Sequence, residues 1–450
     1  ATHCEPDLKT IFEKGLHDGY TLENGGQGLY WGNKSRCRLL LDHLGKPVDM
    51  PVKQGLGFVD CRDHSIYQVQ PREPYKWQTE QGYRESLSAL RSMGQLSMEE
   101  CAAAMQTDVQ TWLEERGLTK NEEAYDFIKV VMACQNAMAE PRMAPAGDFL
   151  GYMAMARDIK MNLHSGSVAT IAEPGCMAIP LAMEEALNAA GGEIRRSTPV
   201  EEIIIESGKV RGVVIRSGNG DYESIECNTV ICNIPPKHIF NVLHPRHFPA
   251  EWVDLLQNKY WSAGLLTCYM GLKNKIWEEL GDDERSFIWM PGIIKHEGFI
   301  GAVDMVMWNF AACAKRAPEG KRDFCFSTAL TDQEMRNPKK VARVINYCMD
   351  WFKKNFKGWE ENVEFVIWTP SDEAYGNWRP IGEKRPPIRS PYVDGLFFVG
   401  DQYGERMWGG GVDGASLCAV MVVDEIMGTD LESELYPPYH RGTPKPATNW

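Results

Sequence analysis

Near the C-terminal end of the chain, a short apolar run is followed by a glycine-rich loop and then by a long apolar stretch. Residues 396–399 are all apolar and are bounded by Gly395 and Gly400, which predicts a strand covered on both faces. Four glycines follow within residues 409–414, and a mostly apolar stretch then runs to residue 426. This pattern predicts a turn that opens a helix, whose accessible N–H groups and positive end favour a phosphate or an electron-rich ring edge.

The same glycines match the dinucleotide fingerprint G-x-G-x-x-G through Gly409, Gly411 and Gly414. That fingerprint opens a βαβ unit, in which an acidic residue follows on a second strand about 20 residues later. Here the helical pattern ends in Gly-Thr-Asp at 428–430, and residues 431–450 form a proline-rich arm. The match therefore does not establish a self-contained nucleotide site, and a glycine turn for helix–sheet packing is the alternative.

The clearest alternation of apolar and polar positions lies between residues 173 and 236. Residues 177–190 have the pattern of an amphipathic helix that ends at Gly191 and Gly192. The residues after it are rich in β-forming types and are interrupted by turns at 207–209 and 218–220. They predict short strands at 193–195, 200–206, 210–216, 222–227 and 229–232, and the last is apolar enough to enter a buried sheet.

The remaining segments divide into helical and mixed regions. Residues 36–44 predict a short helix, and residues 80–160 predict helices without a clear strand. Residues 249–365 mix both types, with strands at 264–272 and 287–291 and an amphipathic helix at 340–356. Four methionines of the helical region favour ordinary core filling over a ligand pocket: Met143, Met153, Met155 and Met161.

The charge and the cysteine content of the chain argue against several classes of function. The formal net charge of −14 argues against nucleic acid, because the 62 acidic residues outnumber the 48 basic ones that could neutralise its phosphates. No run of 18 apolar residues exists and no charged-then-apolar leader opens the chain, so we expect neither a transmembrane helix nor a signal peptide. The 13 cysteines are scattered without a C-x-x-C pair. We therefore expect no disulfide framework and no metal site, and a cytoplasmic protein in a reducing compartment.

Three stretches resemble the phytoene desaturase-like branch of the FAD-dependent amine-oxidase superfamily. One is residues 174–195 together with 198–203 and 209–214, and another is the G-L-F-F-V-G-D sequence at 395–401 with the later Gly-x-x-Gly-Ala. The third is the D-G-Y-T-L-E sequence at 18–23 followed by Gly25 and Gly26. The resemblance covers most of the chain, is strongest at 173–236 and 395–427, and implies an FAD cofactor.

The resemblance implies a mixed α/β, two-domain amine-oxidase-like fold, whose Rossmann-like FAD domain is assembled from separated segments. The FAD domain would comprise residues 1–70, 166–245 and 388–430, and the substrate domain residues 71–165 and 246–387. The backbone of Val200 would contact the adenine, and Asp401 would bind the ribityl or pyrophosphate part. The other cofactor-binding positions, near the pyrophosphate and the flavin ring, would be Gly400, Gly409, Gly410, Gly411, Val412 and Gly414.

One motif of this family is missing from the sequence. Members open with a strand, a G-x-G-x-x-G turn, a helix and a second strand with a ribose-binding glutamate, followed by a Gly-Gly-Arg loop. This chain matches the family only from about residue 9 onward, after that loop. A sheet without its central strand and first helix exposes an edge and a large apolar surface. We therefore expect a hetero-oligomer, in which a second polypeptide carries the glycine box and docks beside residues 20–30 and 228–236. This polypeptide would be a small subunit, a cleaved peptide or a homologous subunit.

Four residues are candidates for catalysis. Tyr403, Glu405 and Trp408 fall between the predicted strand and the glycine turn, where they are placed to reach the substrate side of the flavin ring. Trp408 is equally compatible with packing on the sheet edge. His164 is a candidate base in a loop of small residues, although a lone histidine is more often structural. Asp413 sits where a helix cap belongs, so capping is favoured over proton transfer.

The function implied by the resemblance is removal of a hydride from an activated C–H bond by flavin. The aromatic and methionine content favours an apolar substrate, such as a terpenoid, a lipid or an alicyclic ring, that is desaturated or hydroxylated with water. A flavin-dependent isomerase or hydratase without net oxidation is one alternative, and a non-catalytic partner subunit is another. The intact Gly400, Asp401 and glycine turn disfavour a non-catalytic subunit, and peripheral contact with a membrane stays open.

Overall fold

The computed structural model describes most of the chain. The described residues are 3–22, 29–50, 56–59, 65–69, 73–136, 140–158, 169–170, 172, 174–274, 287–294, 303–309, 316–356, 358–404 and 411–438. They form one large mixed sheet, a group of helices with its own core, and a smaller region in which a three-stranded sheet adjoins a parallel strand pair.

The elements are numbered in chain order. The strands are β1 (His3–Glu5), β2 (Leu29–Tyr30), β3 (Leu56–Val59), β4 (Ile66–Val69), β5 (Ala169–Thr170), β6 (Val200–Glu206), β7 (Lys209–Arg216), β8 (Tyr222–Glu226), β9 (Val230–Cys232), β10 (Trp261–Leu272), β11 (Phe287–Ile294), β12 (Val303–Asn309), β13 (Arg322–Thr331), β14 (Val363–Trp378) and β15 (Leu396–Phe398). The α-helices are α1 (Leu8–Glu13), α2 (Arg36–His43), α3 (Glu80–Gly94), α4 (Met98–Ala103), α5 (Val109–Glu115), α6 (Glu122–Asn136), α7 (Ala146–Asp158), α8 (Ala178–Ala189), α9 (Ala250–Asp254), α10 (Asp332–Met335), α11 (Pro338–Asn355), α12 (Trp359–Asn362), α13 (Gly411–Met427) and α14 (Leu431–Leu435).

The large sheet has eight strands in the order β1-β14-β10-β13-β12-β11-β3-β4. Neighbouring strands are antiparallel except β11 and β3, which run parallel. Helix α11 begins with an Asn337 cap and a proline at its first position, both of which favour a helix start. Its apolar face supplies Phe352, which stacks on Trp368 of β14, and both side chains are fully buried. The sheet and α11 therefore share one core.

Helices α3 to α7 form a second core. Helix α4 begins with a capping box, in which Ser97 and Glu100 each bond the other's backbone N–H. Helix α7 differs from its neighbours because it is apolar on almost every side, as expected for a helix at the centre of a core. Its Phe149, Leu150 and Met153 are at most 2% exposed and pack within this helical core.

The smaller region joins two predicted strands that are far apart in sequence. Strand β15 pairs in parallel with β9, with Leu396 opposite Val230 and Phe398 opposite Cys232. All three residues of β15 are buried, which confirms the strand predicted at 396–399. Strand β9 is less covered, because Ile231 is 47% exposed.

Most predicted elements between residues 177 and 232 are confirmed. Helix α8 and strands β6, β7, β8 and β9 lie within one or two residues of their predicted bounds. The strand predicted at 193–195 is wrong: these residues are exposed, and Arg195 pairs with Glu193 and Glu223 through side chains, with no strand assigned there. The proposed division of the chain into an FAD domain and a substrate domain stays a prediction.

Substituting Gly395 with alanine is expected to destabilise the protein strongly. Gly395 has φ +79°, and an added Cβ would lie 2.1 Å from the carbonyl oxygen of Asn228. Left-handed strain and overpacking together predict a loss of about 2–4 kcal/mol, measurable by urea unfolding. Gly191 is a matched control, because it has φ +84° but nothing within 4 Å of the added Cβ. Equal losses for G395A and G191A would contradict the packing argument.

Candidate cofactor site

The end of β15 is tied to the start of α13. Gly400 and Asp401 follow the strand, and Oδ2 of Asp401 accepts a hydrogen bond from the backbone N–H of Gly411 at 3.0 Å. Gly411 opens α13 with φ +58°, a backbone conformation that favours glycine. A partly buried carboxylate thus lies at the positive end of a 17-residue helix. We call Gly400, Asp401 and the first turns of α13 and α2 the cradle.

The second helix start in the cradle is held by Asp413. Its Oδ1 accepts from the backbone N–H of Arg36 at 2.5 Å, and its Oδ2 accepts from Nη1 of Arg36 at 3.1 Å. Arg36 is fully buried, and Ser35 caps the same helix by accepting from the N–H of Arg38. Burial raises the pKa of Asp413 and the Arg36 guanidinium opposes this shift. Asp413 therefore does cap a helix, but the helix is α2 and not its own α13, because the fold brings the two N-termini together.

Two arginines from the segment before β15 bring positive charge close to Asp401. Nη1 of Arg385 donates to the carbonyl oxygen of Asp401 at 3.1 Å. Arg379 donates twice to Asp148 of α7, at 2.9 and 3.3 Å, and Arg385 lies 3.8 Å from the same carboxylate. Burial raises the pKa of Asp401, while Arg385 lowers it. The carboxylates of Asp148 and Asp401 thus balance the two buried guanidinium groups in charge.

Tyr403 lies in the core next to the cradle. Its hydroxyl donates to the carbonyl oxygen of Ile234, and its ring stacks on Phe398 with centroids 5.2 Å apart. The side chain is 4% exposed, and burial raises the pKa of its hydroxyl well above the ordinary value. This arrangement suits a packing residue, since a buried hydroxyl already bound to a carbonyl is a poor proton donor to a substrate. The catalytic role of Tyr403 stays a prediction.

The other predicted site residues fall into two groups. Val200 opens β6 opposite Ile215 and is 40% exposed, Val412 is 41% exposed on α13, and Gly414 is buried one turn after the start of α13. Their contacts with a cofactor stay predictions. The positions outside the described residues are Glu405, Trp408, Gly409, Gly410, His164 and Met161.

The cradle fits a cofactor such as FAD. The positive end of α13 favours electron-rich atoms, and the Asp401 carboxylate offers an acceptor to a hydroxyl. Within the described ranges, no group of three or more His, Cys, Asp or Glu residues is arranged to hold a metal ion. The ten cysteines whose side chains the structure describes are free thiols. None of the described helices is both long enough and apolar enough to cross a membrane.

Sequence reasoning missed the buried cations of this site. Arg36 was included in the predicted helix at 36–44, and Arg379 and Arg385 lie in a charged, proline-containing segment that has the composition of a surface loop. Their partners are remote: Arg36 and Asp413 are 377 positions apart, and Arg379 and Asp148 are 231 apart. No local pattern marks an arginine whose partner is this distant, so only the fold reveals these pairs.

Two curated relatives share sequence with the chain. Over 259 residues it is 32% identical to a phytoene desaturase (neurosporene-forming) of Rhodobacter capsulatus, a match that covers 50% of this chain and 48% of that protein. Over 110 residues it is 32% identical to the protein of the same name from Cereibacter sphaeroides, covering 24% of this chain and 20% of that one. The chain therefore spans less than half the length of the curated relatives that it matches. No protein-family model matches the chain.

Solved structures share the fold over nearly the whole chain. An oxidoreductase from Methanosarcina mazei matches with a TM-score of 0.67 at 16% identity, over 90% of this chain and 89% of that one. Putrescine oxidase with bound putrescine matches with a TM-score of 0.62 at 16% identity, over 92% and 89%. These matches confirm the resemblance inferred from the motifs. The chain is a distant homologue of these phytoene desaturases, and its mixed α/β fold resembles that of the oxidoreductase and the amine oxidase among these solved structures.

Proposed function

We propose that this chain works as an FAD-dependent oxidoreductase. The hydrogen bond between Asp401 and Gly411 carries the proposal, because it places a partly buried carboxylate and a helix N-terminus at the end of a buried strand. Such a pair suits a flavin, whose ribityl hydroxyls need an acceptor and whose pyrimidine edge needs donors. Bound FAD would supply acceptance of a hydride.

The chain's own residues would hold and orient this cofactor. Asp401 would accept from the ribityl chain, Val200 would meet the adenine through its backbone, and the first turn of α13 would face the pyrimidine edge. Arg36 and Asp413 would fix the relative position of α2 and α13. In this proposal the FAD domain is assembled from separated segments of residues 1–70, 166–245 and 388–430.

An apolar substrate fits the helical region best. Its core is rich in methionine and aromatic side chains, including Met93, Met132 and Tyr152, and both curated relatives are desaturases by name. We propose desaturation, or hydroxylation with water, of a terpenoid, a lipid or an alicyclic compound. A cytoplasmic location with peripheral membrane contact would suit such a substrate and the free cysteines.

The visible spectrum of the purified protein tests this function. An oxidised flavin spectrum is expected, and it should bleach when the substrate is added without oxygen. A flavin spectrum that substrate never bleaches, despite product formation, would instead support an isomerase or hydratase. A protein that cannot be loaded with flavin would indicate a non-catalytic subunit.

We also propose that a unit that carries the G-x-G-x-x-G glycine box, and lies outside residues 1–450, packs against α13. Along one side of this helix lie small and apolar side chains, spaced by four positions: Gly411, Ala415, Ala419, Val423 and Met427. Val423 is 38% exposed and Met427 is 69% exposed, whereas the opposite side of α13 packs on α2 and α14 through Leu417 and Val420. Small residues let a second helix approach closely, along a ridge of the i, i+4 type.

This docked unit would complete the sheet that β9 and β15 begin. A parallel sheet is ordinarily covered on both faces, yet Ile231 of β9 is 47% exposed. The unit would be carried on adjoining sequence or, as the missing motif led us to expect, on a second polypeptide. In either case native mass spectrometry should show a flavin-bearing particle heavier than 50.9 kDa, and only a second polypeptide should separate as its own mass on denaturation.

Introducing a charge on α13 is expected to weaken this assembly. Val423→Glu places a carboxylate in the proposed contact, at a cost of about 1–3 kcal/mol in binding free energy. The dissociation constant of the heavier particle should therefore rise roughly tenfold. Leu8→Glu is the control, because Leu8 is similarly exposed, at 40%, but lies on α1. Assembly that V423E and L8E leave equally intact would contradict the proposed docking surface.

A further inference from the structure

Helix α7 presents two different faces. Asp148, Tyr152 and Met155 are spaced by four and three positions, which places them on one side of a helix. Phe149, Leu150 and Met153 lie on the other side and pack in the helical core, to which Tyr152 and Met155 also belong. The first face differs because its side chains contact Arg385, Trp31 and Arg36, which lie in the cradle or beside it.

The N-terminal end of this face meets the arginines beside Asp401. Asp148 is 8% exposed and accepts from Nε and Nη2 of Arg379, while Nη2 of Arg385 lies 3.8 Å from its Oδ1. Arg385 in turn donates to the carbonyl oxygen of Asp401. Asp148 therefore anchors the guanidinium group that binds the backbone of the cradle.

The C-terminal half of the face meets the start of α2. The Tyr152 ring packs against that of Trp31, with centroids 4.8 Å apart. Trp31 is 4% exposed and has φ +73°, a left-handed conformation that is costly for a tryptophan and that persists only when its surroundings enforce it. One turn on, Sδ of Met155 lies 3.7 Å from Nη2 of Arg36, the arginine paired with Asp413.

We propose that the face formed by Asp148, Tyr152 and Met155 is a positioning face, which holds Arg385, Trp31 and Arg36 in place around the cradle. Through it, a helix of the helical core sets the environment of the cofactor. The inference rests on the proposed flavin site, since the cradle is the part that it positions. These are positioning residues, because each acts through another residue of the chain.

Amide hydrogen exchange on the flavin-free full chain tests the proposal. Asp148→Asn keeps the side-chain shape but removes the charge that anchors both arginines. Exchange in the peptides covering 385–404 and 411–418 is expected to rise about tenfold, because the cradle then opens locally. If D148N does not fold, Tyr152→Leu provides the same test at the other end, with faster exchange expected at residues 31–37.

Leu150→Ala is the matched control. Leu150 is 1% exposed on the opposite face of α7, so this variant loosens the helical core but keeps the three side chains that contact Arg385, Trp31 and Arg36. Exchange in L150A should rise within residues 80–158 and stay near the wild-type level in the cradle peptides. Equal rises in the cradle for D148N and L150A, or no rise there for D148N, would overturn the proposal.

The flavin-loaded protein gives an independent readout. D148N is expected to shift the visible absorption or circular dichroism of bound FAD, whereas L150A should leave both signals in place. An unchanged flavin signal in D148N would count against the positioning face. If the wild-type protein takes up no FAD, the proposed function fails, and the exchange data on the flavin-free chain still decide whether α7 positions the cradle.

Discussion

Arg36→Met is expected to lower the free energy of unfolding by about 3–5 kcal/mol, since it leaves the Asp413 carboxylate buried without its cation. The methionine retains most of the arginine's apolar volume, so the loss reports the missing charge more than a cavity. Urea-induced unfolding at neutral pH measures the effect. A loss below about 1 kcal/mol would show that the pair is not the buried contact described here.

The control for this variant is Arg84→Met. Arg84 pairs with Glu80 on the surface of α3, where its side chain is 75% exposed, so removing it should cost at most about 0.5 kcal/mol.

The pH dependence of unfolding gives a second test of R36M. Without Arg36, the pKa of Asp413 in the folded protein should rise further above its unfolded value. Stability is then retained below the unfolded pKa and lost as the pH rises through the folded pKa, so the penalty of R36M should shrink on acidification.

Asp401→Asn is expected to weaken FAD binding by about 10- to 100-fold. The ribityl hydroxyl would then donate its hydrogen bond to a neutral amide oxygen, which is a weaker acceptor than a carboxylate. Quenching of free FAD fluorescence on binding measures the dissociation constant. Burial raises the pKa of Asp401 above its ordinary value of 3.8. Wild-type affinity should therefore fall as the pH is lowered through that raised pKa, whereas the affinity of D401N should stay flat.

Asp394→Asn serves as the control for this second variant. Asp394 lies shortly before β15, but its side chain is 58% exposed and pairs with Lys209 and Arg389 on the surface. FAD affinity and its pH profile should match those of the wild type. An unchanged affinity in D401N would remove Asp401 from the cofactor site, while an equal loss in D394N would point to a general effect on the fold.

Local patterns predicted the elements that carry the cradle. The apolar run at 396–399 between two glycines was sufficient for β15, because few other structures suit such a run. The turns at 207–209 and 218–220 marked the hairpins of β6, β7 and β8. These signals are local, so a single sequence displays them without any knowledge of the rest of the chain.

Long-range pairing could not be read in the same way. The order of the eight-stranded sheet, the partner of Asp413 and the contacts of α7 all depend on which segments meet, and periodicity does not contain that information. Asp413 illustrates the point: its type and position predicted a cap of its own helix, yet it bonds the start of a helix 377 positions earlier. The chemistry of the residue was predictable, but its partner was not.

The position of β1 at one edge of the large sheet has a consequence for synthesis of the protein. Strand β1 pairs with β14, and Glu5 is joined by a salt bridge to Lys353, which lies 348 positions further along the chain. A ribosome adds about 5–20 residues per second, so β1 waits roughly 20–70 s for its partner. During that interval its backbone donors and acceptors are exposed to other nascent chains and to chaperones. The rate of translation is therefore expected to change the yield of folded protein more than it changes the stability of the finished sheet.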